Sequence, residues 1–312
     1  MRCLSPTEIN NFAQNFGCIA GVCDAAPLAR VPYAAGFTPF VSSDLEKRTN
    51  PTLTLKGAQS IIVIGVDREE KGTASINDTA FTAELSSLGT TLDYHKRVKA
   101  ILLELVEALC KVGYTFRHKM IVDNAGLDER ALAVRAGLGF YGRHGLVISQ
   151  KFGTRFNIGC LLTDIPVEEI PTTNKLRGKS DASFIEECPH TCHLCIAACP
   201  TGALSFSMEN PRGATFDVTR CISYLTQKDA LCPEEQKLLG NQLYGCDLCQ
   251  NACPRNAPRG TTYVNPADWP EKTDEDFAHE YGNTAMLWKG AEILRRNAKI
   301  VLHNLHQGEM LE

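Results

Sequence analysis

The sequence has no long apolar run, no low-complexity tract and no strong excess of charge of either sign. No stretch reaches the roughly 20 apolar residues that a membrane-spanning helix needs. A formal net charge of −4 argues against a generally basic nucleic-acid-binding surface, although it is compatible with a local basic face. The opening residues MRCLSP have neither the pattern of a secretory signal nor a twin-arginine signal. We therefore expect a cytoplasmic protein, whose thiols stay reduced.

Cysteine is the residue type that stands out. The chain has 14 cysteines in 312 residues, and nine of them fall between Cys188 and Cys253. A chain of this length predicts two domains that each bury a core, so it does not need disulfides for stability. In a reducing compartment, such a cluster of cysteines indicates metal ligation.

Two segments repeat the pattern C-x2-C-x3-C-P, which is the later part of the bacterial ferredoxin motif. The cysteines concerned are Cys192, Cys195 and Cys199 in the first segment, and Cys246, Cys249 and Cys253 in the second. In two-cluster ferredoxins, the cysteine before the proline ligates the cluster of the other motif. The repeat therefore predicts two [4Fe–4S] clusters that exchange their last ligands.

The first ligand of each run is displaced from its usual place. Pro189 and Leu243 occupy the positions where ferredoxin spacing expects a cysteine, and Cys188 lies one residue before Pro189. In the second run a distant cysteine must substitute, and we predict Cys221, with Cys232 as the alternative. The expected ligand sets are Cys188, Cys192, Cys195 and Cys253 for one cluster, and Cys221, Cys246, Cys249 and Cys199 for the other.

Zinc sites and plain buried thiols are the alternatives for these eight cysteines. Zinc ribbons have C-x2-C knuckles without the x3-C-P ending, so the spacing favours iron–sulfur clusters. The other cysteines before residue 188 have no partner spacing, and we expect them to be inert buried thiols. They are Cys3, Cys18, Cys23, Cys110 and Cys160.

Short strands and helices alternate before the cysteine region. Strands are predicted at residues 60–66, 120–123, 145–149 and 158–162, and helices at 6–16, 92–112 and 128–136. A polar linker is predicted at 171–180, and helical periodicity returns from residue 274. This order indicates a layered α/β or α+β architecture for the first half of the chain.

The glycines at 137, 139 and 142 match the dinucleotide fingerprint G-x-G-x-x-G only in letters. That fingerprint follows a strand and opens a helix, whereas here a helix precedes the glycines and a strand follows them. We therefore interpret Gly137 as a helix C-terminal glycine in the left-handed conformation. Residues 130–162 carry five Arg or Lys and no Asp or Glu, which suits either an anionic ligand or a solvated face.

Several motifs in the same order resemble the epoxyqueuosine reductases, cobalamin-dependent enzymes of queuosine synthesis in tRNA. The matching segments are residues 44–51, 93–95, 122–123, 129–131, 135–139, 221–226 and 244–250. The resemblance implies an α+β fold in three parts. These are a nitroreductase-like cobalamin-binding domain at residues 1–170, a ferredoxin-like two-cluster domain at 171–260 and a short helical tail, a truncated HEAT-like region, at 261–312.

The resemblance also implies the reaction, the cofactors and the site. Electrons from a low-potential donor such as ferredoxin or flavodoxin would pass through two [4Fe–4S] clusters to cobalamin and remove the epoxide oxygen of epoxyqueuosine at the tRNA wobble position. Asp123 occupies the position of the family's proton donor, against the corrin, because the oxygen leaves only when it is protonated. Other residues in family motifs that we expect around the corrin are Arg48, His95, Arg143, His144, Ser149, Ser223 and Asp247.

Two other functions fit parts of the sequence. A cobalamin-dependent reductase of a small molecule, similar to the reductive dehalogenases, would use the same scaffold. A non-catalytic iron–sulfur electron carrier would use the clusters alone, but it would need neither Asp123 nor the basic stretch. The sequence departs from the family at Arg143, where the motif usually has lysine, so the charge is kept while its geometry changes.

Overall fold

The computed structural model describes residues 3–28, 40–68, 82–123, 126–167, 188–210, 212–258 and 260–309, so the predicted linker at 171–180 lies outside the described residues. The chain divides into two compact units. Unit 1 comprises residues 1–67, 95–193 and 206–215, and unit 2 comprises residues 68–94, 194–205 and 216–312. Within the described ranges, no helix combines the length and the apolar character that crossing a bilayer requires.

Helices and strands are short in most of the chain. The helices are α1 (Pro6–Asn15), α2 (Leu45–Thr49), α3 (Ser87–Thr90), α4 (Tyr94–Lys111), α5 (Glu129–Arg135), α6 (Leu194–Ala197), α7 (Ile222–Leu225), α8 (Pro233–Leu238), α9 (Leu248–Asn251), α10 (Asp274–Tyr281) and α11 (Ala291–Glu309). The strands are β1 (Ile19–Asp24), β2 (Ser60–Asp67), β3 (Ala83–Leu85), β4 (His118–Ile121), β5 (Phe140–Tyr141), β6 (Val147–Ile148), β7 (Phe156–Thr163), β8 (Leu204–Phe206), β9 (Ala214–Phe216), β10 (Gln242–Tyr244) and β11 (Thr262–Val264).

Unit 1 is built on an antiparallel sheet in the order β1-β2-β7-β4. The central strands β2 and β7 are almost entirely buried, which explains their continuous apolar sequence. Helix α5 packs against these strands and contributes Leu132 and Val134 to the core. The edge strand β4 ends at Ile121, so the chain leaves the sheet immediately before Asp123.

Unit 2 contains a sheet in the order β10-β3-β11 and the helices α10 and α11. Its core includes Trp269 and Phe277, whose rings meet edge to face at 5.4 Å. Strand β3 pairs with two strands that come much later in the chain, which draws residues 68–94 into unit 2. The units therefore divide the chain differently from the predicted boundaries at 170 and 260, because local sequence carries no signal of such long-range pairing.

Most of the predicted elements are present, with shifted ends. The strand expected at 145–149 is shorter, since β6 covers only Val147–Ile148. Helix α2 was not predicted, although Asp44 caps it by accepting the N–H groups of Glu46 and Lys47. Gly137 follows α5 with a φ of 81°, which confirms the left-handed helix end and the helix-before-glycine order.

Candidate active site and cluster ligands

Four of the predicted ligands come together in unit 2: Cys199, Cys221, Cys246 and Cys249. Burial is the largest cause of the raised pKa of the last three thiols, and it brings the pKa of Cys246 to about 12. Neighbouring thiols raise these pKa values further. Cys199 raises the pKa of Cys221 and Cys246, and Cys221 raises the pKa of Cys246 and Cys249. The group therefore combines cysteines of both motifs with Cys221.

The starts of short helices position these thiols. Cys221 is the N-cap residue of α7, where the backbone N–H groups of Ser223 and Tyr224 partly offset the effect of burial on its pKa. The N–H of Leu248, at the start of α9, likewise partly offsets the effect of burial on the pKa of Cys246. Cys232, the alternative ligand, lies at the exposed start of α8. The structure thus places Cys221 with the second motif.

Of the remaining ligand candidates, Cys188 and Cys192 lie in unit 1, and Cys195 and Cys253 lie in unit 2. In unit 2, Cys195 is buried on α6, which packs against α9. Its thiol raises the pKa of Cys249. In unit 1, the Cys192 N–H donates to the Pro189 carbonyl at 2.9 Å. Among the described residues, no three Cys, His, Asp or Glu side chains lie close enough to bind one metal ion.

Asp123 lies in unit 1, two residues beyond the end of β4, and it is exposed. Its φ of 53° is left-handed, and no other non-glycine residue in the described ranges has a positive φ. This conformation costs about 1–2 kcal/mol for most residues, although Asp adopts it more readily. The Asp123 N–H donates to Glu129 Oε1 at 2.8 Å. Backbone strain of this kind is concentrated at functional sites.

Glu129 is the first residue of α5, and the sequence carries no signal of a role for it beyond the motif shared with the family. Burial is the main cause that raises the pKa of Glu129 to about 8, and the nearby Asp123 charge adds to it. The carboxyl therefore keeps its proton near neutral pH. Asp128, rather than Asp123, caps α5 by accepting the N–H of Ala131 at 3.1 Å, and it pairs with Arg48 at 4.0 Å.

Arg143 follows β5 and is buried. Its Nη1 donates to the carbonyl of Arg212 at 2.8 Å, and its Nη2 donates to the carbonyls of Pro189 and His190 at 3.1 and 3.2 Å. Gly213 has a φ of 68° and leaves room for the guanidinium, since a Cβ there would lie 1.8 Å from Nη1. Arg143 therefore fixes the segment that leads into the first cysteine motif.

His144 is a buried, neutral imidazole. Burial and the positive charge of Arg212 lower its pKa to about 4. Its Nδ1 accepts the N–H of Leu146 at 3.1 Å, so Nε2 carries the proton. On the preceding residue, the Nε of Arg143 is buried and has no hydrogen-bond partner among the described residues. Adjacent residues thus present two hydrogen-bond donors to any neighbouring acceptor.

The other residues expected around the corrin hold turns or helix starts. The buried Ser149 hydroxyl accepts the N–H of Phe152 at 2.9 Å. In unit 2, Asp247 Oδ2 accepts the Ser87 N–H at 2.6 Å and its Oδ1 accepts the Gln250 side-chain amide at 2.9 Å. The remaining two positions are simply placed: Ser223 lies in the first turn of α7, and the half-buried His95 lies in the first turn of α4.

The expectation of inert buried thiols is confirmed for Cys18, Cys23 and Cys160, which are buried and have raised pKa values. Cys3 is half-buried. The expectation is wrong for Cys110, which is exposed. The buried face of α4 ends in Leu109, and the next residue of a helix points about 100° away from it.

Known protein families match this chain over both the cysteine region and the segment that contains Asp123. Residues 187–256 match the family described as "4Fe-4S double cluster binding domain", and residues 48–124 match "Epoxyqueuosine reductase QueG, DUF1730". The epoxyqueuosine reductase of Lactococcus garvieae is 30% identical to this chain, and the alignment covers 89% of this chain and 78% of that protein. The enzyme of Listeria monocytogenes is 33% identical over 85% and 69%. This chain belongs to the epoxyqueuosine reductase family.

Solved epoxyqueuosine reductases share the fold. The enzyme of Streptococcus thermophilus matches with a TM-score of 0.78 at 28% identity, covering 96% of this chain and 81% of that one. A crystal structure with an epoxyqueuosine-modified stem loop of tyrosine tRNA matches with a TM-score of 0.79 at 26% identity, covering 96% and 81%. A Bacillus subtilis structure, with its catalytic aspartate loop swung out of the active site, gives 0.78 at 25%, covering 97% and 82%.

These matches confirm the predicted α+β fold, the oxidoreductase class and the two [4Fe–4S] clusters. They do not assign individual residues of this chain. The ligand sets, the acid and the corrin contacts therefore stay predictions.

Proposed function

We propose that this epoxyqueuosine reductase acts on tRNA that carries epoxyqueuosine at the wobble position and converts it to queuosine. Removing the epoxide oxygen as water takes two electrons and two protons. We propose that the electrons come from a low-potential donor such as ferredoxin or flavodoxin. The tRNA stem loop bound to the structural relative supports the choice of substrate.

Asp123 is the residue we propose as the proton donor to the epoxide oxygen. The observation that carries this assignment is its exposed carboxyl on a left-handed backbone, just beyond the end of β4. A side chain in this position can reach a bound substrate, while the half-buried Glu129 holds its backbone. Protonation turns the departing oxygen into a better leaving group, which is the usual role of a general acid.

The cysteines would hold the clusters as predicted from the motifs. For the second cluster, the grouping of Cys199, Cys221, Cys246 and Cys249 supplies four thiols, the number that a [4Fe–4S] cube takes. For the first cluster, the assignment of Cys188, Cys192, Cys195 and Cys253 is based on motif spacing. Bound clusters would supply single electrons at low potential.

A corrinoid would supply the cobalt centre at which the two electrons are delivered to the substrate. Its side chains carry amides, and the donors at Arg143 Nε and His144 Nε2 suit amide carbonyls. Ser149 and Asp247 already bond to the protein, so we propose that they support the site indirectly. Arg48 does the same through Asp128, the residue that caps α5.

The test uses anaerobically reconstituted protein with added cobalamin, a strong reductant and tRNA that contains epoxyqueuosine. Queuosine is measured by mass spectrometry of the digested nucleosides. We expect Asp123→Asn to lower the turnover by about 10²-fold or more, the usual scale for losing a general acid. Iron content and corrinoid binding should stay unchanged. The control is Glu107→Gln, which alters an exposed carboxyl on α4.

Two results would contradict these assignments. Wild-type protein with both cofactors bound but no queuosine product would overturn the proposed substrate. Full turnover by Asp123→Asn would be consistent with the proposed substrate but would overturn the proposed role of Asp123.

A further inference from the structure

The backbone of Asp123 is tied to the interior of unit 1 by one side chain. The Asp123 N–H donates to Glu129 Oε1 at 2.8 Å, so a residue just beyond β4 is linked to the first residue of α5. Asp123 has a φ of 53°, a conformation that an L-residue keeps only when its surroundings fix it. Because this N–H lies in the residue that carries the proposed acid, its hydrogen bond bears directly on where the carboxyl points.

Glu129 is well placed to act as a fixed anchor. Its helix α5 packs against the sheet, and its carboxyl lies close enough to the fully buried Cys160 on β7 to raise the pKa of that thiol. Among the charged groups that shift the pKa of Glu129, Asp123 and Asp128 raise it and Arg130 lowers it. A carboxyl on a packed helix loses little entropy when it accepts a hydrogen bond, so it can hold a loop firmly.

We propose that Glu129 is a positioning residue, which keeps Asp123 in its left-handed conformation and so aims the proposed acid at the substrate. The inference rests on the proposed function, because it concerns the acid of that reaction. The hydrogen bond needs only an acceptor oxygen at this place. Glutamine retains such an oxygen, whereas alanine removes it.

The first test measures the hydrogen bond without any catalysis. Hydrogen–deuterium exchange, read by mass spectrometry on peptides spanning residues 118–130, reports the protection of the Asp123 amide. We expect Glu129→Ala to speed this exchange by about tenfold, the effect of losing one hydrogen bond. Glu129→Gln should stay within about threefold of wild type. Glu107→Ala, at an exposed position on α4, should leave exchange unchanged.

The second test is a double-mutant cycle on turnover with the loaded enzyme. We expect Glu129→Ala to lower kcat by about tenfold with little change in the KM for tRNA, and Glu129→Gln to restore most of the loss. In the Asp123→Ala background, Glu129→Ala should cause no further loss, since its effect acts through Asp123. Iron content of each variant shows whether unit 2 remains intact.

The outcomes distinguish the role of Asp123 from that of Glu129. If Asp123→Ala keeps full turnover, the proposed acid is wrong, whatever Glu129 does. If Asp123→Ala loses turnover but Glu129→Ala lowers it equally in both backgrounds, Glu129 does not act through Asp123 and the inference is overturned. Unchanged exchange in Glu129→Ala would overturn it too. If Glu129→Ala fails to fold, Glu129→Gln takes its place. Exchange protection and turnover equal to wild type in Glu129→Gln would support the inference, and a loss of both would contradict it.

Discussion

The four grouped cysteines of unit 2 (Cys199, Cys221, Cys246 and Cys249) and Asp123 of unit 1 are positioned in opposite ways. The thiols stand on or beside very short helices, and the spacing within each C-x2-C motif is fixed by three consecutive peptide units. Asp123 depends instead on Glu129, which lies six residues later on a packed helix. The comparison shows that the spacing within each cysteine motif is encoded locally, whereas the orientation of the proposed acid depends on the packing of α5.

Burial acts on both regions in the same direction, with different chemical results. It raises the pKa of Cys246 to about 12 and that of Glu129 to about 8. Metal binding removes the protons of thiols, so a bound cluster would overcome the effect in unit 2. No such cation is expected beside Glu129, and its carboxyl stays neutral near pH 7. The same physical effect therefore has to be overcome by metal in one region and keeps a carboxyl protonated in the other.

The largest effect is expected from removing the ligand that motif spacing leaves ambiguous. Cys221→Ser should cost the protein about four irons and abolish turnover, because a cube lacks one of its four thiolates. The matched variant, Cys232→Ser, changes an exposed thiol at the start of α8 and should keep both clusters. Iron and sulfide analysis, with electron paramagnetic resonance of the reduced protein, measures both. The reverse pattern would make Cys232 the ligand.

The sequence predicted the features that depend on residue identity and short spacing. It indicated both cysteine motifs, the helix end at Gly137 and the buried strands, because each follows from chemistry within a few residues. It did not indicate Glu129 as the partner of Asp123 or the hydrogen bonds from Arg143 to the Pro189 and His190 carbonyls. The Asp123 N–H and the Pro189 and His190 carbonyls are backbone groups, which carry no side-chain signature, and the Arg143 contacts also require segments 46 and 47 residues apart to meet.

A smaller effect is expected from giving Arg143 the residue that is usual in the family motif. Arg143→Lys should lower the free energy of unfolding by about 3 kcal/mol, since one ammonium cannot replace a guanidinium that donates to three carbonyls. The control is Arg117→Lys, at an exposed pair with Asp164, where we expect a change below about 1 kcal/mol. Urea unfolding of the anaerobic protein measures both.

Arg143 is a unit 1 side chain that holds the segment leading into a cluster motif, so this substitution tests whether tertiary contacts also support the cysteines. Equal stability of Arg143→Lys and wild type would mean that the buried guanidinium contributes nothing that a lysine cannot. A loss confined to cluster occupancy, with unfolding unchanged, would instead assign Arg143 to the cluster alone.

The smallest effect is a pH dependence of stability that belongs to Glu129. Its pKa rises from an ordinary value of 4.5 to about 8 on folding, so between these values the folded state binds more protons than the unfolded state. Stability from this carboxyl is fully present below pH 4.5 and is lost as the pH rises toward 8. The slope is at most about 1.4 kcal/mol per pH unit, and we expect about 2 kcal/mol between pH 5 and pH 7.

Glu129→Gln removes this titration while it keeps the acceptor oxygen. The free energy of unfolding, measured in urea from pH 5 to pH 8, should therefore fall less steeply for Glu129→Gln than for wild type. The contribution of His144, whose lowered pKa acts in the opposite direction, is present in both proteins and cancels in the difference. Glu107→Gln should run parallel to wild type, since its carboxyl is exposed. Parallel curves for Glu129→Gln and wild type would mean that Glu129 is ionised at neutral pH, so that a negative charge, rather than a neutral carboxyl, accepts the Asp123 N–H.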